Sequence, residues 1–539
     1  MERRKFIQST SLLSVPLLFN KLPVFAASQL ENSSLSLLAS AAAEAGKILV
    51  IIEMRGGNDG LNTVFPKDQW SKLVNARSNI LLNENDVLPL QGNDATGLHP
   101  SMPEMQNLYN DGKMMIVQAV SYPNPSLSHF RATDIWFTGS ASNVSLQTGW
   151  LGRSLDSIYP GFPANYPNPD MPDPIAIQIG SSLPFSLQGP VGNVGYCAKN
   201  PAEILNVINA TSDPAPNSDY GKEITFLRLM KSQSNLYRTS IQNAYNTPKP
   251  LSAEYPGDNR LADSFKVVAK LINGGLKTPV YIVTHPESFD SHDGQVNSLD
   301  KKTGKHPNNL ATLSKAIGAF QEDLRLMGKE ELVTGMTFSE FGRRIASNGS
   351  LGTDHGTTAP VMFFGAALNT GAQNVAGTAH PVSGMIGTHP VLPEGAGGGD
   401  FMPMQFDYRQ LYSTVMQDWL KMSEQQANAV LGGTFEKLPI FKLGAGSFNK
   451  STDFAVDDFI SVYPNPVTNN QINIQFKKFV TSKVNVAIIS IQGNKIFEDV
   501  FVVDSTSLSF DVNKNVPLGN HILELTCDGN KYYKKLIFK

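Results

Sequence analysis

Ile48 to Ile52 form an unbroken apolar run, in KILVIIEM, that reaches Gly56 and Gly57 within a few residues. A strand with one wet face alternates apolar and polar residues. A run without alternation needs apolar neighbours on both faces, which is the situation of a central strand in a parallel sheet. The pattern returns at KMMIVQAVS (Lys113 to Ser121), PVYIVTH (Pro279 to His285), LVTGMTFSEFG (Leu332 to Gly342) and APVMFFG (Ala359 to Gly365). Between them, NNLATLSKAIGAFQEDLRLMG (Asn308 to Gly328) repeats its apolar residues at helical spacing. Alternating strands and helices predict an α/β fold with a doubly wound, mostly parallel sheet, in which ligands sit beyond the carboxyl ends of the strands.

The chain has 539 residues, enough for one large domain with smaller attachments. Hydrophobic residues make up 41% and charged residues 17%, the balance of a folded protein. A net charge of -3 argues against a nucleic-acid partner, which calls for a basic face. Cys197 and Cys527 are far apart, so neither a disulfide framework nor a thiolate metal site is expected. Any metal must be held by Asp, Glu and His.

The first residues, MERRKFIQSTSLLSVPLLFNKLPVFAAS, pair Arg3 with Arg4 ahead of a short apolar stretch and a small-residue cleavage site. This resembles a twin-arginine export signal over residues 1–27, removed after use, the alternatives being an ordinary secretory signal or a membrane helix. The main domain is expected over 28–445 and a linker over 446–460. Residues 461–539 alternate apolar and polar residues in short runs broken by Asn, Gly and Pro, the pattern of a small antiparallel β-sandwich. YPNP (Tyr463 to Pro466), QGNKIF (Gln492 to Phe497) and the ending LGNHILELTCDGNKYYKKLIFK resemble the type A sorting domain of type IX secretion. That resemblance implies a Bacteroidota source, export through the periplasm and outer membrane, and domain removal with cell-surface attachment or release. A carbohydrate-binding or adhesive module is the other reading.

Four strand-end loops carry candidate chemistry. In RGGNDGLN, Asp59 follows the first strand, where it is either a ligand or part of an Asn-Asp-Gly turn. In YPNPSLSHFRATD, Ser126 and Ser128 stand at a helix start, as N-caps or as a nucleophile favoured by the positive end of the helix. ESFDSHDGQ gathers Asp290, His292 and Asp293, donors that suit zinc, manganese or iron. Glu340, in MTFSEFGRR, and His355, in GTDHGTTAPVMFFG, converge if their strands are neighbours.

The order of these loops is similar to that of the alkaline phosphatase superfamily. More closely, MRGGNDGLNTVFP, GLHPSMPEM, SHFRATDIWFTG, GWLGR, FDSHDGQ, SEFGRR, NGSLGTDHG and DYRQLY resemble the domain-of-unknown-function 1501 family within it. The resemblance implies a divalent metal, zinc first, with manganese, iron, calcium or magnesium as alternatives. One ion would be held by Asp290, His292 and His355, with Asp354 a further ligand or the group orienting His355. A second would be held by Asp59 and Glu340. Ser128 would be the nucleophile, with Arg131 holding an anionic group and His129 a ligand or general acid. Three positions depart from the pattern: Phe341 replaces an imidazole, Leu127 replaces the acid before the nucleophile, and Asp290 and His292 are unusually close. His99 in GLHP is a spare imidazole. The resulting expectation is a secreted metal-dependent hydrolase of phosphate or sulfate esters. The alternative is a surface binding or scaffold protein that keeps the fold without turnover.

Overall fold

The computed structural model describes residues 46–199, 201, 218, 228, 235–247, 252–371, 383–442, 460–467, 470–490, 495–512, 516–517, 519–527 and 530–538. The export signal expected over 1–27 and nearly all of the linker expected over 446–460 lie outside them. Among the described residues no helix is long and apolar enough to cross a membrane. The chain divides into two compact units, one ending at Lys442 and the other beginning at Leu443.

The first unit is built on a nine-stranded sheet. Its strands are β1 (Ile48–Glu53), β2 (Met114–Ser121), β3 (Ile177–Ile179), β4 (Tyr196–Cys197), β5 (Val280–Thr284), β6 (Val333–Phe338), β7 (Ala359–Phe364), β8 (Met385–Ile386) and β9 (Phe406–Asp407). The spatial order is β8-β2-β7-β6-β1-β5-β3-β4, with β9 also on β2. β1 is central and parallel to β5 and β6, pairing Leu49 with Val280 and with Thr334. β7 alone runs against its neighbours β2 and β6. Its amino end therefore lies at the same sheet edge as the carboxyl ends of β1, β5 and β6.

Both faces of the sheet are covered, which explains the apolar runs. Leu49 and Ile51 face one core with Trp136, Trp150 and Tyr412. Ile48, Val50 and Ile52 face the other with Phe265, Leu313 and Phe320. Helices covering the sheet include α1 (His129–Thr138), entered from β2, α2 (Arg260–Asn273) and α3 (Lys305–Leu326). Asn259 caps α2 by accepting from the Ala262 N–H. Gly139 ends α1 in the left-handed conformation (φ 70°), where a residue with Cβ is strained.

The second unit is a five-stranded antiparallel sheet of β10 (Ile460–Tyr463), β11 (Gln471–Ser490), β12 (Lys495–Asp511), β13 (Gly519–Cys527) and β14 (Asn530–Phe538). Val484, Val486 and Ile488 on β11 are fully buried while Lys483 and Asn485 are exposed, the period of two expected for a half-buried strand, which small Ala487, also buried, interrupts.

Candidate metal centre

The loops after β1, β5 and β6, the start of α1 and the segment before β7 meet at one sheet edge. Antiparallel β7 delivers His355 there from its amino side, and α1 delivers His129 as its first residue. Three imidazoles and Asp290 come together. His129 Nε2 lies 3.3 Å from Asp290 Oδ2, His292 Nε2 3.2 Å from Asp290 Oδ1, and His355 Nε2 3.4 Å from the same oxygen. The Nε2 atoms of His292 and His355 are 2.9 Å apart.

The opposite ring nitrogen of each imidazole is anchored. His129 Nδ1 is 2.8 Å from Glu340 Oε1, His292 Nδ1 is 3.0 Å from Asp354 Oδ1, and His355 Nδ1 is 2.8 Å from the Leu127 carbonyl oxygen. Carboxylates and carbonyls only accept, so each Nδ1 carries the hydrogen and, in a neutral ring, each Nε2 keeps its lone pair. Three lone pairs thus converge on a carboxylate, an arrangement that repels itself unless a cation lies among them. Ligands about 2.0–2.1 Å from a tetrahedral ion are about 3.3 Å apart, which is the spacing found around Asp290. Among the described residues, His129, Asp290 and His355 form a set whose ligand atoms all lie within 4.8 Å of one another, with His292 joining it through Asp290 and His355. The residues fit a divalent ion, and imidazoles held by carboxylate and carbonyl acceptors are the usual support of such sites.

Charge agrees with geometry at Asp290 and His355, while Glu340 favours a protonated His129 whose Nε2 proton a bound cation must displace. Burial acts to raise the Asp290 carboxyl, but the bonded Arg343 guanidinium and the nearby His129 and His292 bring it below the ordinary carboxylate value. The Glu340 hydrogen bond raises His129. Burial lowers His355, and the neighbouring Arg343, His129 and His292 add to the effect against its bond to Leu127.

Of the residues named from sequence, Asp290, His292, His355, His129, Glu340 and Asp354 are gathered here. Asp354 bonds His292, whereas His355 is oriented by Leu127, so the orienting role expected of Asp354 falls on a different imidazole. Asp59 does not join them. Both its oxygens lie 2.9 Å from Arg77 Nη1, and Gln295 Nε2 donates to Oδ2 at 2.6 Å, in a fully buried network. Arg131 is turned aside as well: it pairs with Asp134 and donates to the carbonyls of Ser142 and Val144. Asp293 is exposed and pairs with Lys305. His99 is buried against His306. Ser128 is the N-cap of α1, exposed, and its hydroxyl makes no capping bond. Phe341 is buried, with its ring centre 4.8 Å from that of His129 and 4.6 Å from that of His355, a wall against two of the imidazoles.

Two residues of this centre were not singled out by sequence. Arg343 has a fully buried side chain that donates to Asp290 Oδ1 (2.7 Å), the Gly57 carbonyl (2.8 Å) and the Thr353 carbonyl (2.9 Å). Gln295 accepts from Ser291 Oγ (3.0 Å) and Thr353 Oγ1 (2.7 Å), tying together the two loops that carry His292 and His355. The only signal was the double arginine in SEFGRR beside an acid, since a lone glutamine in a polar loop carries none.

Residues 257–433 match the family described as a protein of unknown function, DUF1501, and residues 461–539 match the secretion system C-terminal sorting domain. Among solved structures, the chain is similar to a protein of the alkaline phosphatase superfamily from Vibrio parahaemolyticus: 8% identity, 95% of this chain and 91% of that one covered, TM-score 0.33. It is similar also to a sulfatase from Pseudoalteromonas sp.: 9% identity, 90% and 88% covered, TM-score 0.29. A DUF3244 family protein with an immunoglobulin-like β-sandwich from Bacteroides vulgatus shares 13% identity over 15% of this chain and 84% of its own, TM-score 0.13. No curated protein matches. The α/β unit thus matches the DUF1501 family over residues 257–433, and the second unit matches a secretion sorting domain over residues 461–539.

Proposed function

We propose that this chain is a secreted hydrolase of phosphate or sulfate esters that depends on a divalent ion, zinc first. The observation that carries the reading is the set of three imidazoles whose anchored Nδ1 atoms leave Nε2 lone pairs converging on Asp290. His129, Asp290, His292 and His355 would hold the ion, and imidazole with carboxylate suits zinc. When bound, such an ion supplies Lewis acidity toward the anionic oxygens of an ester.

The chain's own groups do the rest. Ser128 stands directly before the ligand His129 at the amino end of α1, where the helix field favours an oxyanion, and its exposed position lets substrate reach it. Arg343 keeps Asp290 ionised and aligned. The sorting domain supports delivery by the type IX machinery to the cell surface, and the paired arginines at the start support twin-arginine export before it.

Zinc-loaded protein assayed against chromogenic phosphate monoesters, diesters and sulfates should turn over one class, with activity falling at least about 100-fold in Ser128→Ala. Activity retained in that variant rejects the serine as nucleophile. If loaded protein cleaves none of these esters, the reading passes to a surface binding protein, toward which buried Phe341, filling space against two imidazoles, already points.

A further inference from the structure

Glu340 was a candidate ligand for a second metal, yet its surroundings give it another task. The residue is 4% exposed, and the Gly56 N–H donates to both of its oxygens, at 2.8 and 3.0 Å. Oε1 also accepts from His129 Nδ1. Gly56 has φ 108°, and a Cβ there would run into the Asp290 N–H and Ser288 Oγ, so the loop that grips Glu340 is pressed against the loop that carries Asp290. Asp59, the other acid expected to serve a second ion, is neutralised by Arg77. The fully buried Arg343 guanidinium already places a fixed positive charge against Asp290. Asp290 is thus the one carboxylate whose oxygens face the three Nε2 atoms, while Glu340 and Asp354 are turned to the Nδ1 atoms of His129 and His292, which leaves a second divalent ion short of acidic ligands.

We propose that Glu340 is the positioning residue of this centre, and that the chain holds one ion, not two. Glu340 fixes the His129 ring so that Nε2 becomes a fourth donor beside Asp290, His292 and His355. The proposal rests on the metal-dependent reading above, and deepens it by assigning the stoichiometry and the group that orients His129. Glu340→Gln keeps an oxygen for the Gly56 N–H and loses only the acceptor that His129 Nδ1 needs, so its effect on ion binding must vanish when His129 is absent.

The test is metal titration of the full chain after chelation. Bound zinc is counted by elemental analysis, and Co²⁺ is followed by its visible absorption, which reports coordination. Wild type should bind one equivalent. Glu340→Gln should still bind one, but 10- to 100-fold more weakly and with an altered Co²⁺ spectrum. His129→Ala should weaken binding to a similar degree, and the double variant should lose nothing further. Two equivalents in wild type, an unchanged affinity in Glu340→Gln, or additive losses in the double variant overturn the proposal. Should Glu340→Gln not fold, the count in wild type and the four-coordinate Co²⁺ spectrum lost in His129→Ala decide it. A wild-type chain that takes up no ion overturns the metal-dependent reading itself, an outcome distinct from the others.

Discussion

Gln295→Leu isolates the brace beneath the centre. Gln295 is fully buried; it donates to Asp59 Oδ2 at 2.6 Å and accepts from Ser291 Oγ at 3.0 Å and Thr353 Oγ1 at 2.7 Å. Ser291 lies between Asp290 and His292, and Thr353 precedes Asp354 and His355, with the Thr353 N–H donating to the Ser291 carbonyl. Leucine conserves the side-chain bulk, so the loss is one bond to a carboxylate, about 1.5–3 kcal/mol, and two neutral bonds of about 1 kcal/mol each. The expected destabilisation is about 4 kcal/mol, read as a lowered urea midpoint of the α/β unit at unchanged slope. Because the two loops lose their side-chain tie and keep only the Thr353 N–H to Ser291 carbonyl bond, any stability that saturating zinc adds should shrink as well, following the fall in affinity. A loss under about 1 kcal/mol together with unchanged zinc stabilisation refutes the brace. Gln295→Glu should be worse than leucine at neutral pH, since it sets a second carboxylate against Asp59.

Other outcomes follow from the buried groups nearby. Arg77→Met strands the Asp59 carboxylate in the interior and should cost about 3–5 kcal/mol, much of which the double variant with Asp59→Asn recovers; a single-variant loss below about 1 kcal/mol in urea unfolding rejects the pairing. Burial holds His99 and His389 at about 3 and His306 at about 4, so in the native state they stay neutral while an unfolded chain protonates them near 6.5. The unfolded state then binds more protons, so their contribution is intact above pH about 6.5 and is lost as pH falls from there toward about 4. Urea midpoints of metal-free protein measured from pH 8 to pH 4.5 should decline over that window, and a flat profile would contradict their burial.

The central strands were legible because burial on both faces leaves no polar alternation, and the observed strands lie within the runs at Ile48, Met114, Val280, Val333 and Ala359. The direction of β7 was not legible, because apolar runs look the same read either way. It decides how His355 reaches the site. Asp290, His292 and His355 could be named from loop chemistry, but the pairing of each Nδ1 depends on contacts across up to 228 residues of sequence, which local pattern does not encode. Asp59 and Arg131 illustrate the same limit from the other side. Each stands at the right offset in a loop or helix, and each is claimed by a partner, Arg77 or Asp134, that only the packed chain supplies.

The anchoring bonds of the imidazoles have a temporal meaning. Glu340 lies 211 residues beyond His129, and His355 lies 228 beyond the Leu127 carbonyl that holds it. No early stretch of the chain contains the pocket in miniature, so a growing or half-folded chain offers only scattered weak donors. Ion uptake at this centre would therefore mark completion of the sheet: a chain able to hold an ion there would already have brought β1, β5, β6 and β7 into register.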